Sequence, residues 1–363
     1  MLELIFLFIM IGYFAQTVLF IIGAKKKFPR IADDRLPTAT IIVAARNEED
    51  NILRTLESLE KLDYPDGKLQ ILIVDDQSTD ATAKIIDDFI KDKPHFKKIT
   101  TEEHHTKLIG KMRALAYAIK EATGEIIMTT DADCEVKPQW AKTVCSFYED
   151  NVAIVTGITT QTAGKWFDGM QAIDFVYLLT AGAGTTNLKM PVSCIGNNMS
   201  YRKSVYDEVG GYEKLPHSVT EDFTLMNAIY NLKKYKVIFP VESDTLVTSV
   251  PCKTLRSLIS QKKRWGVGGL GVPFRGFVIM FWGFTANLLV LLTPFFYSQI
   301  WLVLAVFKIA LDFFLLYPVH IKLGIEKNLK YFFHFEIYYI FYVILLPFIV
   351  LPHRKLTWKG REY

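Results

Sequence analysis

The sequence predicts an α/β domain with a mostly parallel central sheet, carried between membrane-spanning segments at both ends of the chain. Three observations lead there. Between residues 38 and 131, short apolar β-branched runs alternate with segments of helical spacing. Carboxylate-rich motifs stand directly after those runs. Nearly uncharged apolar stretches of about 20 residues, the length a hydrocarbon core requires, open and close the chain.

The elements follow in order. Leu2 to Ile22 carries one charge, Glu3, and is followed by Lys25, Lys26, Lys27 and Arg30. Basic residues directly after a span place that flank in the cytoplasm. In a secretory signal they would precede the apolar stretch, so residues 1–24 read as a transmembrane anchor. Thr38 to Ala45 is a continuous apolar run, suited to a strand buried on both faces. Asn51 to Leu62 repeats Ile52, Leu56 and Leu59 at helical spacing. A second strand is expected at Leu69 to Val74 and helices at Thr79 to Lys91 and Lys111 to Thr123. A third strand, Glu125 to Thr130, runs into Asp131-Ala132-Asp133. The reading gives a catalytic domain over residues 36–250, an interfacial segment over 251–275, membrane segments within 276–353 and a basic tail, 354–363.

Three apolar stretches make up the closing region: Phe277 to Phe296, Ile300 to Pro318 and Phe333 to Leu351. Lys308 and Asp312, four residues apart, share a helix face and read as a protein-facing pair between spans. The topology contains a conflict. With residues 31–276 cytoplasmic, three more crossings put the tail outside, yet His353 to Arg361 is strongly basic and belongs inside. One re-entrant or interfacial segment among these late ones would resolve it. The four cysteines, Cys134, Cys145, Cys194 and Cys252, lack the paired spacing of a zinc site or disulfide frame. A net charge of +4 gives no reason to expect nucleic acid as a partner.

In parallel sheets ligands gather at the carboxyl ends of the strands, where these motifs stand. Asp75-Asp76-Gln77-Ser78-Thr79-Asp80 follows the second strand. Its carboxylates suit ribose hydroxyls or base N–H groups, while Ser78 or Thr79 suits a helix cap. Asp131 and Asp133, at i and i+2 on leaving a buried strand, can converge on one hard cation such as Mg²⁺ or Mn²⁺. Lys111 opens a helix, where the dipole disfavours a cation; it reads either as a solvated lysine or as the partner of a bound anion. Glu221-Asp222 precedes a helical run and reads as a cap or as a general base. Gln261-Lys262-Lys263-Arg264-Trp265 offers Arg264 to a diphosphate and Trp265 to a sugar face, or forms an interfacial belt.

Read together, these residues resemble family 2 glycosyltransferases, over roughly residues 38–270. The carrying motifs are Ala45-Arg46-Asn47-Glu48, Asp75-Asp76-x-Ser78-Thr79-Asp80, Gly110-Lys111, Asp131-x-Asp133, Thr220-Glu221-Asp222 and Gln261-x-x-Arg264-Trp265. One motif alone is weak; six in order are specific. The resemblance implies a Rossmann-like GT-A fold and a nucleotide-sugar donor, expected to be a UDP-sugar. It implies that Ala44, Arg46 and Glu48 hold the base, that Asp76 and Lys111 contact base, ribose or diphosphate, and that Asp131, Ala132 and Asp133 meet the nucleotide and the metal. Asp222 would be the base of an inverting displacement, with Glu221 beside it. Gln261, Arg264 and Trp265 would close over the diphosphate and acceptor, and Asn197, within Gly196 to Arg202, would line the acceptor side.

The membrane branch of this family contains polysaccharide synthases as well as lipid glycosyltransferases. The gating motif of cellulose synthases is absent after Trp265, where Gly-Val-Gly-Gly-Leu-Gly stands. The ending Thr357-Trp358-Lys359-Gly360-Arg361-x-Tyr363 is similar to the ends of lipid and carotenoid glycosyltransferases. A membrane lipid is therefore the expected acceptor, with an amphipathic ramp at Trp166 to Leu179 leading its headgroup in. The alternatives are a small processive synthase acting on a glycan and a non-catalytic nucleotide-sugar-binding subunit. Retention of Asp131, Asp133, Asp222, Arg264 and Trp265 together argues for an enzyme, in the cell membrane with its catalytic domain cytoplasmic.

Overall fold

The computed structural model describes residues 1–101, 108–296 and 298–352, together with the backbone of 357–358 and 361–362. In chain order the elements are α1 (Leu2–Ala24), β1 (Ala39–Ala45), α2 (Ile52–Glu60), β2 (Leu69–Asp75), α3 (Thr82–Ile90), β3 (Phe96–Thr100), α4 (Gly110–Glu121), β4 (Ile126–Asp131), α5 (Trp140–Ser146), β5 (Val152–Thr156), β6 (Thr159–Gln161) and α6 (Trp166–Asn187). They continue with β7 (Met199–Arg202), α7 (Lys203–Glu208), α8 (Gly211–Lys214), α9 (Glu221–Asn231), β8 (Lys236–Ile238), β9 (Val247–Ser249), α10 (Leu255–Gly269), α11 (Phe274–Leu291), α12 (Gln299–Leu323) and α13 (Phe332–Val350). A two-strand ladder, β10 (Thr357–Trp358) with β11 (Arg361–Glu362), follows. The side chains of the expected basic tail lie outside the described residues.

Seven strands form the central sheet in the order β3-β2-β1-β4-β7-β5-β8, all parallel except β7, which runs against both its neighbours. The apolar runs at β1, β2 and β4 are buried because helices cover both faces. Ile41, Ile71 and Ile126 face one core, lined by α2 and α5; Ile42, Leu72 and Ile127 face the other, lined by α4 and α9. Truncating any of these to Ala would cost about 2–5 kcal/mol. Strand order reverses between β1 and β4, the position at which such sheets open a crevice. The register aligns the strand ends there, with Ala45 beside Asp75 and Ala44 beside Asp131.

Four helices are long and apolar enough to cross a membrane: α1, α11, α12 and the stretch Glu326–Val350, which contains α13. Large apolar residues dominate their exposed surface, as a lipid-facing surface requires, with Gln299, Lys322, Glu326, Lys327, Lys330 and His334 as polar exceptions; on α13 Phe333, Ile337, Phe341, Leu345 and Phe348 form one stripe. Lys308 and Asp312 pair as their spacing predicts, at 2.7 Å, and a third charge joins them, Glu336 of α13, 3.0 Å from Lys308. Tyr13 of α1 donates to Asp312 at 2.5 Å and meets the Tyr177 hydroxyl of α6 at 2.7 Å, so one polar cluster ties four helices.

α6 corrects the expected amphipathic ramp. It runs to Asn187 rather than Leu179 and is buried along most of its length, because α1, α13 and β6 cover it. Its contact with α1 depends on small residues: a Cβ on Gly184 would lie 2.5 Å from Phe20 Cα, and one on Gly23 2.0 Å from the Gly184 carbonyl oxygen. The four cysteines are free thiols.

Candidate active site

The carboxyl end of the sheet is built from two clasped loops and two helix starts. After β1 and β2 the chain turns through Asn47 (φ 52°) and Gln77 (φ 61°), left-handed conformations that asparagine tolerates better than most residues. The loops are stitched together. Arg46 Nη1 donates to the Asp76 carbonyl at 2.8 Å, the Thr79 N–H to Asn47 Oδ1 at 2.9 Å, and the Glu48 N–H to Thr82 Oγ1 at 2.8 Å. Glu48 in turn accepts from Asn51 Nδ2 at 2.9 Å. The Asp76 carboxylate is buried and held by Arg113 at 2.7 Å and by the Thr101 hydroxyl at 2.8 Å. Arg113 and Thr101 lie outside the recognised motifs. Arg113 stands two residues after Lys111, and that adjacency was the available signal.

α4 therefore presents two cations to two strand ends: Arg113 to β2 and Lys111 to β4. Lys111 Nζ lies 2.5 Å from Asp131 Oδ1 and 3.5 Å from Glu221 Oε1, and it also feels the charge of Asp222. Burial works against the ammonium, but these three carboxylates more than offset it and hold its pKa above the ordinary lysine value. The unfavourable position at a helix start is thus compensated by the protein's own acids, so Lys111 is not simply a solvated lysine.

Glu221 and Asp222 form the first turn of α9. The Phe223 N–H donates to Asp222 Oδ1 at 2.7 Å. Burial and the neighbouring Glu221 push the Asp222 carboxyl from 3.8 to about 6, against the opposing pull of Lys111, that N–H and Arg264. Gly196 closes the other side: a Cβ there would stand 3.2 Å from Asp222 Oδ2 and 3.4 Å from Lys111 Nζ. Lys111, Asp131, Gly196, Glu221 and Asp222 thus meet around one point.

The remaining expected residues lie around this centre. Arg264 of α10 reaches the Val219 carbonyl at 3.4 Å, just before α9, and acts electrostatically on Asp222. Gln261 Oε1, one turn earlier, is buried without a hydrogen-bond partner. The Trp265 ring packs edge-on to Phe175 of α6, with centroids 5.0 Å apart. Ala132 is buried, and its carbonyl accepts from Thr55 Oγ1 at 2.8 Å, which fixes the turn between Asp131 and Asp133. Asp133 Oδ1 lies 3.4 Å from Cys134 Sγ, and the Asp133 carbonyl accepts from Arg54 at 2.9 Å. Asn197 is buried, its Oδ1 committed to Thr159 Oγ1 at 2.8 Å; the residue of that turn that reaches Asp222 is Gly196.

Residues 126–351 match glycosyl transferase family group 2, and the chain belongs to that family. Residues 40–210 also match glycosyl transferase family 2. Among curated relatives, the chain is 28% identical over 271 residues to a beta-monoglucosyldiacylglycerol synthase of Nostoc sp., covering 71% of this chain and 54% of the relative. It is 26% identical over 271 residues to the probable glycosyltransferase YdaM of Bacillus subtilis, covering 72% and 62%. It is 27% identical over 242 residues to a poly-beta-1,6-N-acetyl-D-glucosamine synthase of Staphylococcus epidermidis, covering 66% and 56%. The chain thus spans roughly half to three fifths of these relatives' lengths. A mannosyltransferase of Pyrobaculum calidifontis, solved with GDP-Man and Mn²⁺, has the same fold at a TM-score of 0.61 and 19% identity, over 93% of this chain and 99% of that one.

Proposed function

We propose that the chain is an inverting glycosyltransferase that moves a sugar from a nucleotide-sugar, a UDP-sugar in the first instance, onto a membrane lipid. The observation that carries this reading is the juxtaposition of Asp222, its pKa raised to about 6, with Lys111 and the strand-end Asp131. A carboxylate with that pKa is ionised at neutral pH yet basic enough to accept a proton from a hydroxyl. The acceptor hydroxyl gives its proton to Asp222, and its oxygen forms a bond to the anomeric carbon. The bond from that carbon to the diphosphate breaks on the opposite face, its electron pair leaving with the nucleoside diphosphate, so the configuration inverts. Arg46, Glu48 and Asp76 hold the base and ribose, while Gln261, Arg264 and Trp265 close over the diphosphate and acceptor.

The Asp131 and Asp133 carboxylates are an all-oxygen donor set, which fits Mg²⁺ or Mn²⁺. Among the described residues there is no group of three or more acidic, His or Cys ligands, so Asp131 and Asp133 are the residues that would hold such an ion beside the donor. Such an ion would supply charge compensation to the departing diphosphate.

Two features favour a lipid over a growing glycan. The Nostoc relative is named for a glucosyl-lipid product. The centre of the helix bundle is filled by Tyr13, Tyr177, Lys308, Asp312 and Phe335, all buried. The course of α13 also bears on topology. Tyr331, at its start, donates to the Gly164 carbonyl at 3.1 Å, while a Cβ on Gly266 of α10 would lie 2.6 Å from Val350 at its end. Both ends meet the catalytic side, which supports an α13 lying along the membrane face and a basic tail on the cytoplasmic side with the catalytic domain. The test uses membranes carrying the full chain with labelled nucleotide sugars and Mg²⁺ or Mn²⁺. Label in the organic-soluble fraction is the expected result. Label in high-molecular-weight material would replace the lipid with a polymer, and donor binding without any product would make the chain a binding subunit.

A further inference from the structure

α10 carries two adjacent stripes. Gln261, Arg264 and Gly268 face the start of α9, where Arg264 reaches Val219 and a Cβ on Gly268 would stand 2.4 Å from Thr220. Leu258, Lys262 and Trp265 face α6 and α13. Lys262 is 2% exposed and forms an ion pair with Asp174 of α6, which is 0% exposed. Its ammonium lies 4.2 Å from the centroid of the Trp265 ring, 5.2 Å from Tyr342 of α13 and 5.6 Å from Phe175. Phe175, next to Asp174 in the chain, holds the edge of the same indole.

Burying two charges to join two helices costs more than an apolar contact of equal volume, which often serves stability as well or better. What the charges add is direction. The ammonium must face both Asp174 and the indole, and this fixes the rotation of α10 and the plane of Trp265. We propose that Asp174 and Lys262 are a positioning pair that sets Trp265 and Arg264 against the acceptor and diphosphate. The proposal rests on the transferase reading given above. Neither residue touches substrate; both act through Trp265 and the rotation of α10. The sequence held one signal, the acid Asp174 within the apolar run Ile173-Asp174-Phe175-Val176, which demands a partner.

The test compares the full-length wild type with Asp174→Leu/Lys262→Met, which removes both charges and keeps most of the volume. Three quantities are read: melting temperature, affinity for the nucleoside diphosphate, and the rate and acceptor KM of transfer. The expected result is a wild-type melting temperature and nucleotide affinity, with kcat/KM for the acceptor reduced about thirtyfold, the scale of a desolvated cation–π contact. Wild-type acceptor kinetics in a folded double variant would overturn the proposal and leave the pair a structural tie. Phe175→Leu serves as the second variant: it keeps the ion pair but frees the indole edge, and the same selective loss is expected. Unchanged acceptor kinetics in Phe175→Leu would likewise overturn the proposal. If the wild type itself transfers no sugar, the transferase reading falls and takes the proposal with it, an outcome distinct from a failure of the pair alone.

Discussion

Asp222 should be a residue whose charge serves activity at the expense of stability. Burial and Glu221 raise its carboxyl from 3.8 to about 6. At about 1.4 kcal/mol for each tenfold change in proton affinity, that rise corresponds to at most about 3 kcal/mol. The sign follows from linkage. The native state holds this proton more tightly than the unfolded chain does, so the group's stabilising contribution is full below pH 3.8 and is lost as pH rises through about 6. At pH 7.5 the ionised carboxylate therefore destabilises the fold relative to a neutral isostere. Asp222→Asn keeps an oxygen to accept the Phe223 N–H and removes the charge. It should melt higher than the wild type at pH 7.5, by up to about 6–10 °C, with the advantage shrinking toward pH 4. Its transfer rate should fall by about 10²–10⁴, the usual contribution of a general base. The assay is thermal unfolding of the detergent-solubilised chain at several pH values beside initial-rate kinetics. A variant that melts lower than the wild type at pH 7.5 would refute the reasoning, as would a wild-type rate that does not fall as pH drops through about 6.

Three further outcomes follow from the same site. Gly196→Ala places a methyl group 3.2 Å from Asp222 Oδ2, so kcat should fall more than tenfold while nucleotide affinity, read by titration calorimetry, stays unchanged. Arg113→Met leaves the buried Asp76 carboxylate without its charged partner and should destabilise the domain by about 3–5 kcal/mol, read as a lower melting temperature, with weaker nucleoside diphosphate binding. Chelation of divalent ions should abolish transfer and Mg²⁺ or Mn²⁺ should restore it. Asp133→Asn should raise the metal concentration required for half-maximal rate, measured by titrating the ion back.

The parts of the fold governed by local pattern were legible in the sequence. β1, β2 and β4 are continuous apolar runs because helices cover both sheet faces, and the motifs after them stand where the strand ends align. β3, an edge strand with exposed Lys97, and the short β7 carry little pattern of their own and exist through pairing with distant strands. α6 was misread as a ramp because its covering elements, α1 and α13, come from the two ends of the chain. Lys111 was visible as an anomaly, but its partners Asp131 and Glu221 lie 20 and 110 residues away and meet it only in the folded domain. Asn197 came from the resemblance alone, and only the folded turn shows its side chain bonded to Thr159 and Gly196 set against Asp222.

The account's central claim is a single displacement assisted by Asp222 at the carboxyl end of the sheet. The most direct test is the anomeric configuration of the transferred sugar, read by NMR from product made with an α-linked nucleotide sugar. The account predicts a β-linked product, formed by the wild type and lost in Asp222→Asn. An α-linked product, or a β-linked product at wild-type rate from Asp222→Asn, would contradict it.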